Sequence, residues 1–342
     1  METHEPVLLS EVLSFLSEGL RRAPRIVDGT LGLGGYSEAI LRAFPDGWVW
    51  GVDRDLDALR LAQERLAAFA PRFCSVHANF GDIAGALGGE APFDAFVFDL
   101  GVSNLQLTEA ARGFSFQQDG PLDMRMDPGG GAPSAAEVLN GLSADELARI
   151  FWEYGDERHS RRIAAGVIQR RARGLRLETT GELVALIREV LPAPVQRKMG
   201  THPARRVFQA LRIFVNDELS AIESMLAALP ALAREGCVAV VVSYHSLEDR
   251  IVKRRFRSWE KEEGLGRALT RHPLLPQDEE RARNYRSRSA KLRAFRFFGG
   301  RVVSPRRGTS DLRVDSWKMV AVAQLDRVEN GIGGVGPQTV QG

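Results

Sequence analysis

The strongest constraint on this chain is an alternation of short apolar runs with helical patterns, which stops for about a hundred residues and then resumes. Four runs rich in β-branched and aromatic residues come in quick succession: Arg25–Asp28, Trp48–Asp53, Phe73–His77 and Phe93–Leu100. Helical periodicity fills the gaps, at Tyr36–Phe44 and Leu56–Phe69, and an amphipathic helix precedes them with Leu9, Val12, Leu13, Leu16 and Leu20 on one face. Apolar strands separated by helices predict a parallel sheet covered on both faces. From Leu107 to about Phe214 only loop signals and helical patterns occur, among them Ala144–Tyr154, Ser160–Arg173 and Thr180–Leu191. The alternation returns with a helix at Val215–Ala233, a strand at Cys237–Tyr244, a helix at Ser246–Trp259 and a last strand at Lys291–Phe298. The expected fold class is therefore α/β, a doubly wound sheet with an inserted all-helical domain. Residues 1–106 and 215–300 form the sheet domain, 107–214 the insertion, and 301–342 a partly disordered tail with one candidate strand at Trp317–Ala323.

A length of 342 residues suits two domains, or one domain with a large insertion. The longest apolar stretch, Cys237–Val242, is far short of a membrane span. The first twenty residues have no leading basic cluster, and two cysteines outside any CxxC pair suit a reduced, cytoplasmic protein. The net charge of +2 conceals a strong asymmetry. Glu157–Ile213 carries 13 basic and 4 acidic residues, and Arg250–Lys318 carries 20 and 8, which leaves −19 for the remainder. Two concentrated positive blocks point toward a polyanionic partner.

The first strand runs directly into Asp28-Gly-Thr-Leu-Gly-Leu-Gly-Gly-Tyr-Ser37 at the opening of a helix. Glycines there let the backbone approach a ligand at the carboxyl edge of the sheet. The second strand closes on Asp53, placed to accept hydrogen bonds from ribose hydroxyls. Gly32-Leu-Gly-Gly-Tyr-Ser37 misses the dinucleotide GxGxxG because Ser37 stands at the third glycine position. Asn79 and Phe80 after the third strand could flank an adenine ring. Asp99 closes the apolar run Phe96-Val-Phe98, where burial without a partner would be costly. His245 has no second His or Cys at ligand spacing, so no metal is expected, and Ser246 with Asp249 is a loose capping box. Three readings remain open at this point: a nucleoside-cofactor transferase, an NAD(P)-dependent oxidoreductase, and a non-catalytic RNA-binding assembly factor.

Further runs carry a resemblance. His4–Leu9, Asp28–Gly35, Asp99–Ser103, Gly113–Phe116, Asp119–Asp127, Thr201–Ala204, Phe208–Arg212 and Ser243–Lys253 occur in order over most of the chain. Together they resemble the ribosomal RNA small subunit methyltransferase H family (MraW-type). The resemblance implies a Rossmann-like class I methyltransferase sheet, S-adenosylmethionine as cofactor, and N4-methylation of one cytidine in the decoding region of 16S ribosomal RNA, within the small ribosomal subunit. It implies cofactor contacts at Gly34, Gly35, Tyr36, Asp53, Phe80, Asp99 and Gln106. The family usually has His at position 36, Ser at 104, Phe at 244 and a proline at 285, where this chain has Tyr36, Asn104, Tyr244 and Tyr285. Asp99 and Tyr244 are the expected catalytic pair, Asp99 acting on the cofactor, the target amine or both, and Tyr244 supplying a stacking surface. Arg158, Arg162 and Arg173, sharing one helical face, are expected to contact RNA with His245. The oligomeric state is left open, a dimer being one option.

Overall fold

The computed structural model describes residues 6–298, together with Lys318 and Leu325; the expected tail strand at Trp317–Ala323 lies outside the described residues except for Lys318, which is helical rather than extended. Seven strands form one sheet: β1 (Arg25–Asp28), β2 (Trp48–Asp53), β3 (Phe73–His77), β4 (Phe93–Asp99), β5 (Ala233–Ser243), β6 (Gly266–Ala268) and β7 (Lys291–Phe297). Their order is β3-β2-β1-β4-β5-β7-β6. Strands β1 to β5 are parallel, whereas β7 runs antiparallel between β5 and β6. This is the doubly wound α/β class that the alternation predicted.

Period-two alternation along the central strands divides the core into two layers. Val27, Phe96, Phe98, Ala239 and Val241 face a cluster closed by Met225, Leu229, Phe256 and Trp259. Ile26, Ala95, Val97, Val238 and Val240 face the other, closed by Val12, Leu16, Ile40, Leu41 and Leu59. Phe98 fits only because position 29 is glycine: a Cβ there would lie 2.0 Å from the Phe98 ring. Strand order reverses between β1 and β4, and the carboxyl ends of these two strands are where such sheets hold ligands.

The chain divides into two compact units, one built from the chain up to Leu105 and from Asp217 to Gly308, the other from Gln106–Asn216 with Lys318 and Leu325. Helices Ala135–Gly141, Ala144–Gly155, Ser160–Ala172, Thr180–Val190, Ala193–Lys198 and Arg205–Asn216 make up the second unit. Three of them open on capping boxes, Ser134 with Glu137, Ser143 with Glu146 and Thr179 with Glu182. The long run Asp119–Asp127 is structural here. Asn216 donates from Nδ2 to the Met124 carbonyl (2.7 Å) and accepts at Oδ1 from the Met126 N–H (2.8 Å). Arg125 forks onto Asp123, with both contacts at 2.8 Å.

Several elements depart from the expected pattern. The helix expected at Val215–Ala233 runs from Glu218 to Leu232, while Val215 and Asn216 close the preceding helix Arg205–Asn216, because Asp217 adopts φ +51 and the Asn216 side chain is held by the loop. The helix from Leu56 closes at Arg65, and a tighter turn, Ala67–Arg72, takes up Pro71. Strand β6 was too short to read from periodicity.

Candidate active site

Three carboxylates converge on the switch point from the ends of β1, β4 and β2. Asp28 is fully buried and accepts at Oδ2 from the Ser37 hydroxyl (2.7 Å). Ser37, the residue that spoils the dinucleotide motif, is therefore the partner of the acid that opens the glycine-rich loop. Asp53 Oδ2 accepts from the Gly32 N–H (2.8 Å) and Oδ1 from the Asp55 N–H (2.9 Å), so this carboxylate shapes the loop as well as facing its edge. Asp99 Oδ1 accepts from the Tyr244 hydroxyl (2.5 Å), and its backbone N–H donates to Thr30 Oγ1 (2.6 Å).

Burial is the largest influence on all three acids and raises each pKa. Asp28 is raised to about 6 by desolvation, against which the Ser37 hydroxyl acts most strongly. Asp99 is also raised to about 6 by desolvation, partly offset by the Tyr244 hydrogen bond and the Arg286 charge. Asp53 moves in the same direction, its backbone hydrogen bonds opposing the cost of burial. Neither Asp28 nor Asp53 is ion-paired among the described residues.

Negative charge concentrated beside a glycine-rich turn tells candidate cofactors apart. A pyrophosphate would be repelled by Asp28 and Asp99, whereas the sulfonium and ammonium of S-adenosylmethionine would be stabilised, and Asp53 retains lone pairs for ribose hydroxyls. Within the loop a Cβ at Gly32 would meet nothing closer than the Thr30 carbonyl oxygen at 4.0 Å, whereas the next two glycines serve the loop's own close packing. Gly34 caps the helix Gly35–Ala43 with φ +78, which an L side chain adopts only with strain, and Gly35 lies so close to Pro6 that a Cβ would sit 2.9 Å from its Cγ. The residues fit the cofactor.

The remaining expected positions fall as follows. Tyr36 is buried, and its hydroxyl donates to the Val7 carbonyl, tying the N-terminal segment to the loop. Phe80 is partly buried, with its ring edge-on to Phe98 at 6.3 Å, while Asn79 Oδ1 accepts from the Gly81 N–H. Gln106, 4% exposed, belongs to the second unit. His245 is the N-cap of the helix Ser246–Lys261 and completes a capping box with Glu248. This corrects the expected box by one residue: the helix starts at Ser246, so the third helical position holds Glu248 rather than Asp249. Glu248 is fully buried, its Oε2 accepts from the Tyr244 and His245 N–H groups, and its Oε1 lies 3.0 Å from His245 Nε2. Glu218 joins them, the three ligand atoms lying within 4.8 Å of one another, a convergence that spacing along the chain did not reveal.

The arginine face is also corrected. Arg162 lies in the helix Ser160–Ala172, but Arg158 precedes it and Arg173 is its C-cap. The preceding helix ends on Asp156 at φ +50, and the buried Glu157 accepts from the His159 N–H (2.8 Å), so the turn keeps Arg158 out of the helix. All three arginines are exposed. Arg170 and Arg171 are instead tied down, by Glu182 and by the Leu142 carbonyl.

Two site residues escaped the sequence reading. Asp28 was seen only as the start of the loop, although an acid closing a buried strand was the available signal. Arg286 donates to the Val102 carbonyl and to Asn104 Oδ1, holding the loop that follows Asp99. Its signal was the run Asn284–Ser289.

Fold and site together define an S-adenosylmethionine-dependent methyltransferase. The MraW methylase family matches residues 1–298. Proteins called ribosomal RNA small subunit methyltransferase H are similar over nearly their whole length. The one from Saccharopolyspora erythraea is 47% identical over 311 residues, covering 86% of this chain and 93% of that one. The one from Geotalea uraniireducens is 44% identical over 308 residues, covering 85% and 97%, and the one from Thermobifida fusca 47% over 308 residues, covering 85% and 92%. The chain belongs to the MraW methylase family.

Asp28 provides a test of the electrostatic reading. Its folded pKa lies above its unfolded value, so between about pH 4 and 6 the native state binds protons that the unfolded chain has released. Stability from this group is therefore lost as pH rises through that window. Asp28→Asn is expected to stabilise the cofactor-free protein above pH 6, on the order of 2 kcal/mol at pH 7. The gain should vanish near pH 4, and cofactor affinity should fall. Urea unfolding of both proteins at pH 4.5 and pH 7.5 checks this; equal differences at the two pH values would remove the electrostatic account.

Proposed function

We propose that this chain transfers the methyl group of S-adenosylmethionine to the exocyclic N4 of one cytidine in the decoding region of 16S ribosomal RNA, in the small ribosomal subunit of the cytoplasm. The observation that carries this reading is the Asp99–Tyr244 pair at the carboxyl edge of β4 and β5, beside the glycine-rich loop. The names of the relatives and the positive blocks of the sequence support the choice of RNA.

Bound S-adenosylmethionine supplies an activated methyl group, so the protein's part is alignment and proton management. The cytosine amine is a poor nucleophile because its lone pair is delocalised into the ring. Tyr244 holds Asp99 Oδ1, which leaves Oδ2 to accept from an amine N–H and to take the proton released on transfer. Arg286 fixes the Val102–Asn104 loop behind Asp99 and keeps a positive charge near it. The Tyr244 ring offers a face for a base displaced from its stack. Exposed Arg158, Arg162 and Arg173 of the helical unit contact the RNA backbone, whereas His245, committed to its helix cap, acts by orienting Tyr244.

Methyl transfer from labelled cofactor to purified small subunits and to naked 16S RNA, followed by nuclease digestion and mass spectrometry, tests this reading. N4-methylcytidine at a single site is expected. No transfer to either substrate with cofactor binding intact would point instead to another RNA or to assembly without catalysis.

A further inference from the structure

Two runs of the helical unit, Gly113–Phe116 and Thr201–Ala204, meet inside it. The Phe116 ring stacks on His202 with centroids 4.6 Å apart and 15° between planes, and Phe208 sets its edge against Phe116 at 5.7 Å. The stack fixes the imidazole plane, and in the orientation seen both ring nitrogens face nitrogen neighbours. Nδ1 lies 3.3 Å from the backbone nitrogen of Ala204, and Nε2 lies 3.2 Å from Nη2 of Arg188.

Both neighbours are donors, and a neutral imidazole has a single acceptor nitrogen. If Nδ1 accepts from Ala204, Nε2 carries the proton and meets an arginine N–H head on. If Nε2 accepts from Arg188, the Ala204 N–H faces a second N–H instead. A protonated ring sets both nitrogens against donors, and burial and the Arg188 charge both hold the His202 pKa down. What the pair lacks is an acceptor. Arg188 is exposed and has no carboxylate partner among the described residues. The segment between Arg188 and His202 ends its short helix on exposed Arg197 and Lys198, and Gln196 Nε2 ties it back by donating to the Arg188 carbonyl (2.8 Å).

We propose that Arg188 and the Nε2–H of His202 together bind one phosphodiester of the RNA substrate, an inference that rests on the RNA reading above. A phosphate oxygen accepts from both groups at once, which resolves the donor conflict, lets Nδ1 keep the Ala204 N–H and forms two charge-assisted hydrogen bonds. The Phe116 stack makes this a preformed contact, with no imidazole rotamer left to order on binding.

The test uses the full chain with two substitutions, Arg188→Gln and His202→Phe, the second chosen to keep an aromatic ring on Phe116. Binding of a 16S RNA fragment and of an unrelated structured RNA is measured across a range of salt concentrations. Each substitution is expected to weaken both RNAs about tenfold, and Arg188→Gln to lower the slope of log affinity against log salt by about one. The double variant should lose little more than either single, because both groups serve one phosphate. S-adenosylmethionine affinity and melting temperature should stay at wild-type values. Unchanged RNA affinity and slope in both single variants would overturn the proposal. If the wild type fails to methylate 16S RNA, the functional reading fails separately, and the unrelated RNA still decides whether Arg188 and His202 hold a phosphodiester.

Discussion

Asp99→Asn is expected to reduce methyl transfer by about a hundredfold to a thousandfold, the range for losing a positioned proton acceptor. An amide keeps the shape and can still accept from the Tyr244 hydroxyl, but it cannot take a proton from the target amine. The loss should therefore appear in kcat rather than in RNA affinity. The pH dependence supplies the sign. Asp99 has its pKa raised to about 6 by burial, so the working carboxylate is depleted as pH falls through 6, and the wild-type rate should decline on that side. The residual rate of Asp99→Asn should have no such limb. Tyr244→Phe refines the test, because the tyrosine hydrogen bond lowers the Asp99 pKa and its removal should move the acid limb to higher pH. Single-turnover rates from pH 5 to 8.5 read all three; a near-wild-type rate in Asp99→Asn would remove Asp99 from the chemistry.

What was legible in the chain depended on how local the cause was. The strands were readable because runs such as Phe93–Asp99 are apolar on both faces, a pattern that only a covered parallel strand requires. Asp53 and Asp99 were readable as acids that end such runs. Contacts between distant parts of the chain were not. Nothing around Ser37 announces that it donates to Asp28, or that Arg286 reaches back to Asn104. The Arg158 face failed for a different reason: a left-handed Asp156 and a buried Glu157 delay the helix start, and that tertiary choice overrides helical periodicity. The same holds at Asp217, where a side-chain clamp from Asn216 ends one helix and delays the next to Glu218, three residues after periodicity starts it. The resemblance supplied what spacing could not, the substrate class, and one of its long runs, Asp119–Asp127, carries the Met124 and Met126 backbone groups that Asn216 clamps within the helical unit.

The second large effect is expected at Asp53, for which two separable losses coincide. Its carboxylate anchors the glycine-rich loop through the Gly32 N–H and the turn after β2 through the Asp55 N–H, and it faces the edge where ribose hydroxyls would donate. Asp53→Ala should weaken S-adenosylmethionine binding about a hundredfold, as expected when charge-assisted hydrogen bonds are lost and the loop they shape is released. Asp53→Asn separates the contributions. The amide oxygen can keep one backbone N–H, but the amide nitrogen cannot accept the other, so its affinity should fall between wild type and Asp53→Ala. Because burial of this acid costs stability when it is charged, its removal should change the melting temperature of the cofactor-free protein little while cofactor affinity falls. Calorimetric titration with the cofactor, paired with thermal unfolding without it, gives both numbers. A large drop in melting temperature with cofactor affinity within about threefold of wild type would make Asp53 a loop anchor alone and leave ribose recognition to other residues.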